Sequence, residues 1–266
     1  NYTTDPDNPN TGEVWYNETA NTIRVEAVTT AAWATGGSMG TARNALGSAG
    51  TQTAALGFGG QPGNTVNTEL YNGTSWTEVN NLSTGRNGIA GAGTSTSALG
   101  FGGEGSSPNP KNETELWNGT NWTEVNNLNT AGKYKGSAGA SNTAALSFTG
   151  IGPDNSNPVT NVELWNGTNW TETTAINTAR DSLAGSGTST SAIAIGGAPN
   201  RAITEQWNGS NWTEVGDLNN GRGSLAATAQ DATNALAFGG TSPIVGDTEL
   251  WNGTNWTETT NLSTAR

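Results

Sequence analysis

The chain of 266 residues alternates short apolar runs with polar clusters rich in Gly, Asn, Ser and Thr. The apolar runs are four to seven residues long, and many of them carry Thr, Val or Trp. No window long enough for a helix keeps a 3.6-residue apolar period. Short runs of this composition between turn-forming residues are typical of β-strands. The pattern therefore predicts an all-β protein.

The same pattern recurs along the chain with a period of about 44 residues. Its marker is a hexapeptide, YNGTSW, WNGTNW or WNGSNW, which begins at residues 71, 117, 165, 207 and 251. Successive copies are therefore 46, 48, 42 and 44 residues apart. A second marker, ALGFGG or a relative of it, ends at Gly60, Gly103, Gly150, Gly197 and Gly240. Five repeats of this length, each made of short strands, are typical of β-propeller blades.

Each repeat is predicted to hold four strands, which in the second copy lie at 87–93, 97–101, 114–117 and 122–125. Asn118-Gly119 separates the last two, and Asn-Gly is the pair typical of type I′ hairpin turns. The first strand of each copy is rich in Gly, Ala and Ser, as expected for strands crowded around an axis. We predict a β-propeller of five four-stranded blades, with units at about 44–81, 87–127, 135–175, 181–217 and 223–261.

The segment before the repeats does not share their sequence pattern, and we predict that it forms a separate N-terminal part. Residues 1–30 are interpreted as a linker with a β-hairpin, Glu13–Asn17 paired with Thr22–Glu26, and residues 31–266 as the propeller. Trp33 repeats the outer-strand Trp without the first three strands, which predicts an extra strand near 32–37. Two arrangements stay open. Either five blades form the ring with 32–37 as an extra strand or edge cover, or that strand completes a blade beyond Arg266.

The order of these markers resembles the kelch repeat: Gly-Gly after the second strand, an aromatic residue, a Trp, and a basic residue before the next unit. Gly196-Gly197, Trp207, Trp212 and Arg222 follow this order. The resemblance implies a kelch-like propeller. Because Trp recurs in every copy, the following residues are interpreted as structural anchors of the repeat: Trp33, Trp76, Trp117, Trp122, Trp165, Trp170, Trp207, Trp212, Trp251 and Trp256. The sequence TELWNGTNWTEVNNL is also similar to repeat regions of tail-fibre and appendage proteins of marine tailed phages. That similarity implies a location on a virion or an extracellular surface.

Charge and composition narrow the possible functions. The net charge of −12 and the lack of a basic stripe argue against nucleic-acid binding. The apolar runs are far too short for membrane insertion. The chain has no Cys and no His, which removes the commonest nucleophiles, general bases and metal ligands. The sequence therefore predicts no catalytic residue, no metal and no cofactor.

Repeated glutamates, such as Glu115 and Glu124, are the one feature that suggests chemistry, because glycosidases use paired carboxylates. Both belong to the predicted outer strands, away from the axis. A glycoside-active propeller enzyme is therefore only the third hypothesis for this chain.

Basic residues form a second repeated feature, ten or eleven positions after each outer Trp: Arg43, Arg86, Lys133, Arg180 and Arg222. Strand direction places them on the face that carries the variable loops. One interpretation is that they bind carbonyls between blades, and the other is that they bind an anionic glycan at the channel mouth. The third copy departs most, with Lys133, Tyr134 and Lys135 aligned to Arg86, Asn87 and Gly88. These three residues, together with Arg43, Arg86, Arg180 and Arg222, are the predicted ligand contacts.

Together these features predict a non-enzymatic binding or adhesion module, the receptor- or glycan-binding head of a viral fibre or surface appendage. Its predicted partners are a host-surface glycan or protein receptor, and also other fibre or virion subunits or a second copy of the chain. The alternative is a purely structural repeat domain that builds or decorates a fibre or virion.

Overall fold

The N-terminal part forms a small unit of its own. A computed structural model describes residues 14–17, 19, 22–25, 32–107, 109–241 and 243–266. The chain divides into two compact units, Asn1–Trp33 and Ala34–Arg266. In the first unit, β1 (Val14–Asn17) pairs antiparallel with β2 (Thr22–Val25), which is the predicted hairpin. Its predicted end residues, Glu13 and Glu26, and most of the predicted 1–30 linker lie outside the described residues.

The second unit consists of five four-stranded sheets, each an antiparallel meander in chain order. From the innermost strand outwards they are blade 1, β3 (Gly47–Thr51), β4 (Ala54–Phe58), β5 (Thr68–Tyr71) and β6 (Trp76–Val79); blade 2, β7 (Ala90–Thr94), β8 (Ser97–Phe101), β9 (Thr114–Trp117) and β10 (Trp122–Val125); blade 3, β11 (Gly136–Ser141), β12 (Ala144–Phe148), β13 (Val162–Trp165) and β14 (Trp170–Thr173); blade 4, β15 (Ala184–Gly187), β16 (Ala192–Ile195), β17 (Thr204–Trp207) and β18 (Trp212–Glu214); and blade 5, β19 (Ala226–Asp231), β20 (Asn234–Phe238), β21 (Thr248–Trp251) and β22 (Trp256–Glu258).

The prediction of an all-β propeller with five four-stranded blades is confirmed. The described residues contain no helix, and so none that is long and apolar enough to cross a membrane.

The innermost strands line a central channel with a volume of about 460 Å³. Neighbouring inner strands pack directly on one another, β3 on β7 and β7 on β11, for example. Their small side chains are a steric requirement, as Gly91 shows. A Cβ atom on Gly91 would lie 2.4 Å from the carbonyl oxygen of Ser48 in the preceding blade. The blades can approach the axis this closely only because these strands lack larger side chains.

The core lies between the blades. Phe58 of blade 1 packs edge-on against Trp122 of blade 2, with ring centroids 4.8 Å apart. Trp122 also packs against Trp117 across its own hairpin, at 5.4 Å. Eight of the ten predicted Trp anchors are at most 8% exposed: Trp117, Trp122, Trp165, Trp170, Trp207, Trp212, Trp251 and Trp256. Trp76 is half-buried, and Trp33 is 36% exposed.

The outer hairpins differ from the predicted type I′ turn. Trp117 pairs with Trp122, so that four residues form the loop. Only Gly119 takes a positive φ, of 94°. The Asn118 side-chain oxygen instead accepts hydrogen bonds from the backbone N–H groups of Thr120 and Asn121, each at 2.9 Å. The Asn side chain therefore caps a longer loop, a role that Asn commonly takes in turns.

The extra strand predicted near 32–37 is wrong, because residues 32–39 form no regular secondary structure. Part of this segment lies against the edge of blade 1. A Cβ atom on Gly37 would lie 2.4 Å from the carbonyl oxygen of Thr74, in the β5–β6 loop. Residues near Gly37 thus lie against blade 1 without forming a strand of its sheet.

Candidate functional site at the channel mouth

The arginine that follows a blade lies in the junction with the next blade. Arg86 Nη2 is 2.8 Å from Glu115 Oε1, and Arg86 Nη1 donates to the carbonyl oxygens of Gly102 and Glu113, at 3.1 and 2.7 Å. Both charged side chains are at most 1% exposed. Equivalent ion pairs are Arg43–Glu69, Arg180–Glu205 and Arg222–Glu249.

This geometry corrects the prediction that the arginines contact a ligand. The side chains of Arg43, Arg86, Arg180 and Arg222 are at most 2% exposed, and each guanidinium group is already bound to a carboxylate and to backbone carbonyls. Burial lowers the pKa of Arg86 and of Arg180, and the adjacent glutamates act in the opposite direction. Arg86, Arg180 and Arg222 therefore hold neighbouring blades together, as the first of the two interpretations states, and Arg43 holds the segment before blade 1 to that blade.

The third copy has no arginine at this position. The N–H of Gly103 donates to the carbonyl of Gly132 at 2.9 Å, the bond that Gly60 makes to Arg86 at 2.8 Å. Gly132 is thus the equivalent of Arg86. The alignment predicted from the sequence is wrong by one residue, because it matched Lys133, the first basic residue after Trp122, to the arginines. Lys133, Tyr134 and Lys135 instead correspond to Asn87, Gly88 and Ile89.

Lys135 occupies the space that the missing arginine leaves. It is 7% exposed, and a Cβ atom on Gly132 would lie 3.3 Å from its Nζ. Burial lowers the pKa of Lys135 to about 8, and the charge of Glu163 acts in the opposite direction. Glu163 also accepts hydrogen bonds from the backbone N–H groups of Asn129 and Thr130, at 2.7 and 3.0 Å. Lys135 therefore belongs to the junction of blades 2 and 3 and is not available as the predicted ligand contact.

Lys133 is close to the surface but paired. Its Nζ is 2.8 Å from Glu104 Oε2 and 5.7 Å from the centre of the Tyr134 ring. Its side chain is 11% exposed. Because Glu104 balances its charge, Lys133 does not create the positively charged spot predicted from the sequence.

Tyr134 belongs to a backbone ladder that crosses from blade to blade, here called the mouth ladder. From Gly88 onwards, each backbone N–H of the ladder donates to the carbonyl of the preceding member, at 2.8 Å for Gly88 to Ala45 and 2.9 Å for Tyr134 to Gly88. Its five members all have φ between 51° and 57°: Ala45, Gly88, Tyr134, Ser182 and Ser224. Tyr134 is the one aromatic residue among them. A positive φ is unusual for a bulky residue and is a form of local strain.

The mouth ladder lies on the same face as the variable loops. The residues just before it bridge to the starts of those loops, as Asn87 does to Glu104 and Lys133 to Ile151. The described residues of these loops are 61–67, 104–107, 109–112, 151–161, 198–203, 241 and 243–247. The asparagine-capped hairpin loops are at the other end of the same strands.

Tyr134 lies across blade 2 at this mouth. A Cβ atom on Gly88 would lie 2.9 Å from the Tyr134 ring, so the ring covers the space that glycine leaves. The hydroxyl group donates to Asn87 Oδ1 at 3.2 Å, and Asn87 Nδ2 donates to Asn64 Oδ1 at 2.6 Å. Tyr134 remains half-buried, with part of its side chain exposed. Sequence reasoning missed Asn64 and Asn87, because neither belongs to a repeated motif that indicates chemistry.

The described residues contain no group of three carboxylates that could hold a metal ion. No protein-family model matches the chain, and no curated protein matches it. The fold itself is clear. This chain is a five-bladed β-propeller, and its architecture is consistent with a kelch-like propeller.

Proposed function

We propose that the chain is a non-enzymatic binding module that recognises a hydroxyl-rich ligand, such as a host-surface glycan, through the channel-mouth face. Because the repeat sequence is similar to that of phage tail-fibre proteins, we propose further that the module is the receptor-binding head of a phage fibre or surface appendage. The observation that carries the proposal is Tyr134, an aromatic residue held at φ 52° on the mouth ladder, where the other blades have Ala, Gly or Ser.

The surroundings of Tyr134 suit a ligand that carries hydroxyl groups. A tyrosine offers a flat apolar face together with a polar tip, which is the combination that a sugar ring requires. The half-buried Asn64 places an amide group beside this cluster, and amides can both donate and accept hydrogen bonds. Asn87 is buried and positions the Tyr134 hydroxyl group. The variable loops on the same face provide differences between blades, and loops are where binding residues are usually found.

The test compares Tyr134→Ser, the residue of blades 4 and 5 at this position, with the unchanged chain on a glycan array and on intact host cells. We expect Tyr134→Ser to reduce adsorption at least ten-fold and Tyr134→Phe to reduce it less. Thr120→Ala, in an exposed loop at the opposite end of the blade, is the matched control and should adsorb normally. Unchanged adsorption by a folded Tyr134→Ser variant would contradict the proposal. Lack of adsorption by the unchanged chain would favour the purely structural role.

A further inference from the structure

The junction between blades 5 and 1, here called the seam, differs from the other four junctions. The mouth ladder runs from Ala45 to Ser224 through four hydrogen bonds, and among the described residues no backbone bond joins Ser224 back to Ala45. The inner strands β3 and β19 also do not pack on one another as the other neighbouring inner strands do. The chain of contacts around the axis is therefore interrupted at one place.

Blade 5 leaves the side that faces the seam uncovered. Ala226 and Thr228 of its inner strand are exposed, whereas Ala90 and Ala92, at the same positions of blade 2, are each 5% exposed. Leu250, on its third strand, is 46% exposed. These positions lie on the side from which, in the other blades, Phe58 and its counterparts contact the next sheet.

Blade 1 shows the matching exposure on its own side of the seam. Ser48 and Gly50 of β3 are exposed, and Ala55 is half-buried, whereas its equivalent Ala98 is fully buried. Trp76 is half-buried, whereas its equivalent Trp122 is 8% exposed. Both sides of the seam thus carry the same kinds of residue as the other junctions, but here these residues are more exposed to solvent.

Residues 34–43, here called the seam segment, take the place of the end of a preceding blade. Gly40 N–H donates to Glu69 at 2.6 Å, as Ser83 N–H does to Glu115 at 2.7 Å. Arg43 then pairs with Glu69, as the arginines after blades 1, 3 and 4 pair with the next sheet. Residues 34–38 are exposed and make no backbone–backbone hydrogen bond with described residues. The segment therefore follows the course of an outer strand that has no sheet to join.

Arg266 leaves a positive charge beside the seam that is unpaired among the described residues. Its carbonyl accepts a hydrogen bond from Gly240 N–H at 2.9 Å, the same bond that is made after each other blade. Its side chain is exposed, and no carboxylate of the described residues pairs with it. Glu69 of blade 1 cannot serve, because Arg43 already occupies it. The seam therefore has one arginine more than it has third-strand glutamates.

We propose that the seam is a docking surface for a three-stranded antiparallel sheet with the sequence of this repeat. The sheet covers Ala226, Thr228 and Leu250, pairs its third strand with residues 34–38, and presents its third-strand glutamate to Arg266. Main-chain pairing with an exposed strand edge is a common mode of recognition, and the neighbouring side chains provide its specificity. Each of these contacts between the docked sheet and the seam is equivalent to a contact that two neighbouring blades make at the other junctions.

The first test uses the fact that the chain has no Cys. Thr228→Cys places a thiol in the seam, and Ala92→Cys places one at the same position of a sealed junction. We expect a maleimide to label Cys at position 228 at least ten-fold faster than at position 92. Equal rates would overturn the proposal, because the seam would then be closed. A rate at position 228 that falls as protein concentration rises would also overturn it, because a second copy of the chain would be the occupant.

The second test joins a copy of residues 181–207, the first three strands of blade 4, after Arg266. We expect labelling at position 228 to slow at least ten-fold while labelling at position 92 stays slow. The matched control carries Gln in the copy's equivalent of Glu205, and it should lose part of the protection because Arg266 then has no carboxylate. If position 228 still reacts quickly, or if position 92 becomes reactive, the seam does not accept the sheet and the proposal is wrong.

Discussion

Two junctions of the same propeller place a different cation near an equivalent buried glutamate, Glu205 in one and Glu163 in the other. Between blades 3 and 4, Arg180 contacts Glu205 directly and also donates to the carbonyl oxygens of Gly196 and Thr178. Between blades 2 and 3, the arginine is replaced by Gly132, and the buried cation is Lys135, which comes from the channel wall. A guanidinium group can satisfy several acceptors at once, whereas an ammonium group is a compact, strongly hydrated charge.

The comparison shows that the junction requires a buried cation near its glutamate more strictly than it requires a particular residue position. The two cations differ in how well their surroundings compensate for the loss of hydration. Arg180 is bound on several sides, whereas burial brings the pKa of Lys135 down to about 8. The junction of blades 2 and 3 is therefore expected to depend on pH in a range where the arginine junctions do not.

The largest effect is expected from Arg180→Met, which leaves the carboxylate of Glu205 buried without its cation. Removing one partner of a buried ion pair costs about 3–5 kcal/mol, and urea unfolding measures that loss. The double variant Arg180→Met, Glu205→Gln should recover part of it, because no uncompensated charge remains. A loss below about 1 kcal/mol for the single variant, the size found for surface pairs, would show that this junction does not depend on the ion pair.

A smaller effect, confined to alkaline pH, is expected at the junction of blades 2 and 3. The pKa of Lys135 is about 8 in the folded chain and is ordinarily 10.5, so between these values the unfolded chain binds more protons. Stability therefore rises with pH across this window, by about 3 kcal/mol at most. Unfolding free energies measured from pH 7 to 10.5 test this, with Lys135→Leu as the reference because blades 1, 4 and 5 have Leu there.

The difference in unfolding free energy between the unchanged chain and Lys135→Leu is the quantity of interest, since the subtraction isolates the contribution of Lys135. The difference should grow in favour of the unchanged chain between pH 8 and 10.5 and stay constant below pH 7. A difference that does not change with pH would mean that Lys135 is not buried as a charged group.

The smallest effect is expected at a tryptophan that lacks a partner. Trp122 Nε1 donates to Thr68 Oγ1 of the preceding blade, and Trp170 Nε1 donates to Thr114 Oγ1, both at 3.0 Å. Trp212 Nε1 is buried with no hydrogen-bond partner, because Val162 stands where the other blades have Thr. Val162→Thr should raise the unfolding free energy by about 1 kcal/mol.

The reverse exchange in a neighbouring blade is the matched control. Thr114→Val leaves Trp170 Nε1 without an acceptor and should lower the unfolding free energy by about 1–3 kcal/mol. If both exchanges change stability in the same direction, side-chain packing and not the missing hydrogen bond decides the outcome.

The sequence was sufficient for the architecture, because the hexapeptide copies and the small residues of the inner strands follow directly from blade packing. It was not sufficient for the candidate site. Gly132 could not be recognised as the arginine equivalent until the hydrogen bond from Gly103 fixed the alignment. The network of Tyr134 with Asn64 and Asn87 joins residues of three different repeats, and no local pattern predicts such a contact. The seam was equally hidden, because it depends on burial in blades 1 and 5.

The placement of each ion pair has a consequence for how such a gene can change. Arg86 and Glu115 both fall between the outer tryptophans Trp76 and Trp122, although they bridge two blades. A stretch of gene exchanged from one outer-Trp codon to the next therefore carries both charges of a junction together. Those boundaries lie within the near-identical hexapeptides, so that a unit exchanged between them keeps the same ends. Repeats can thus be gained, lost or shuffled as cassettes without separating a buried charge from its counterion.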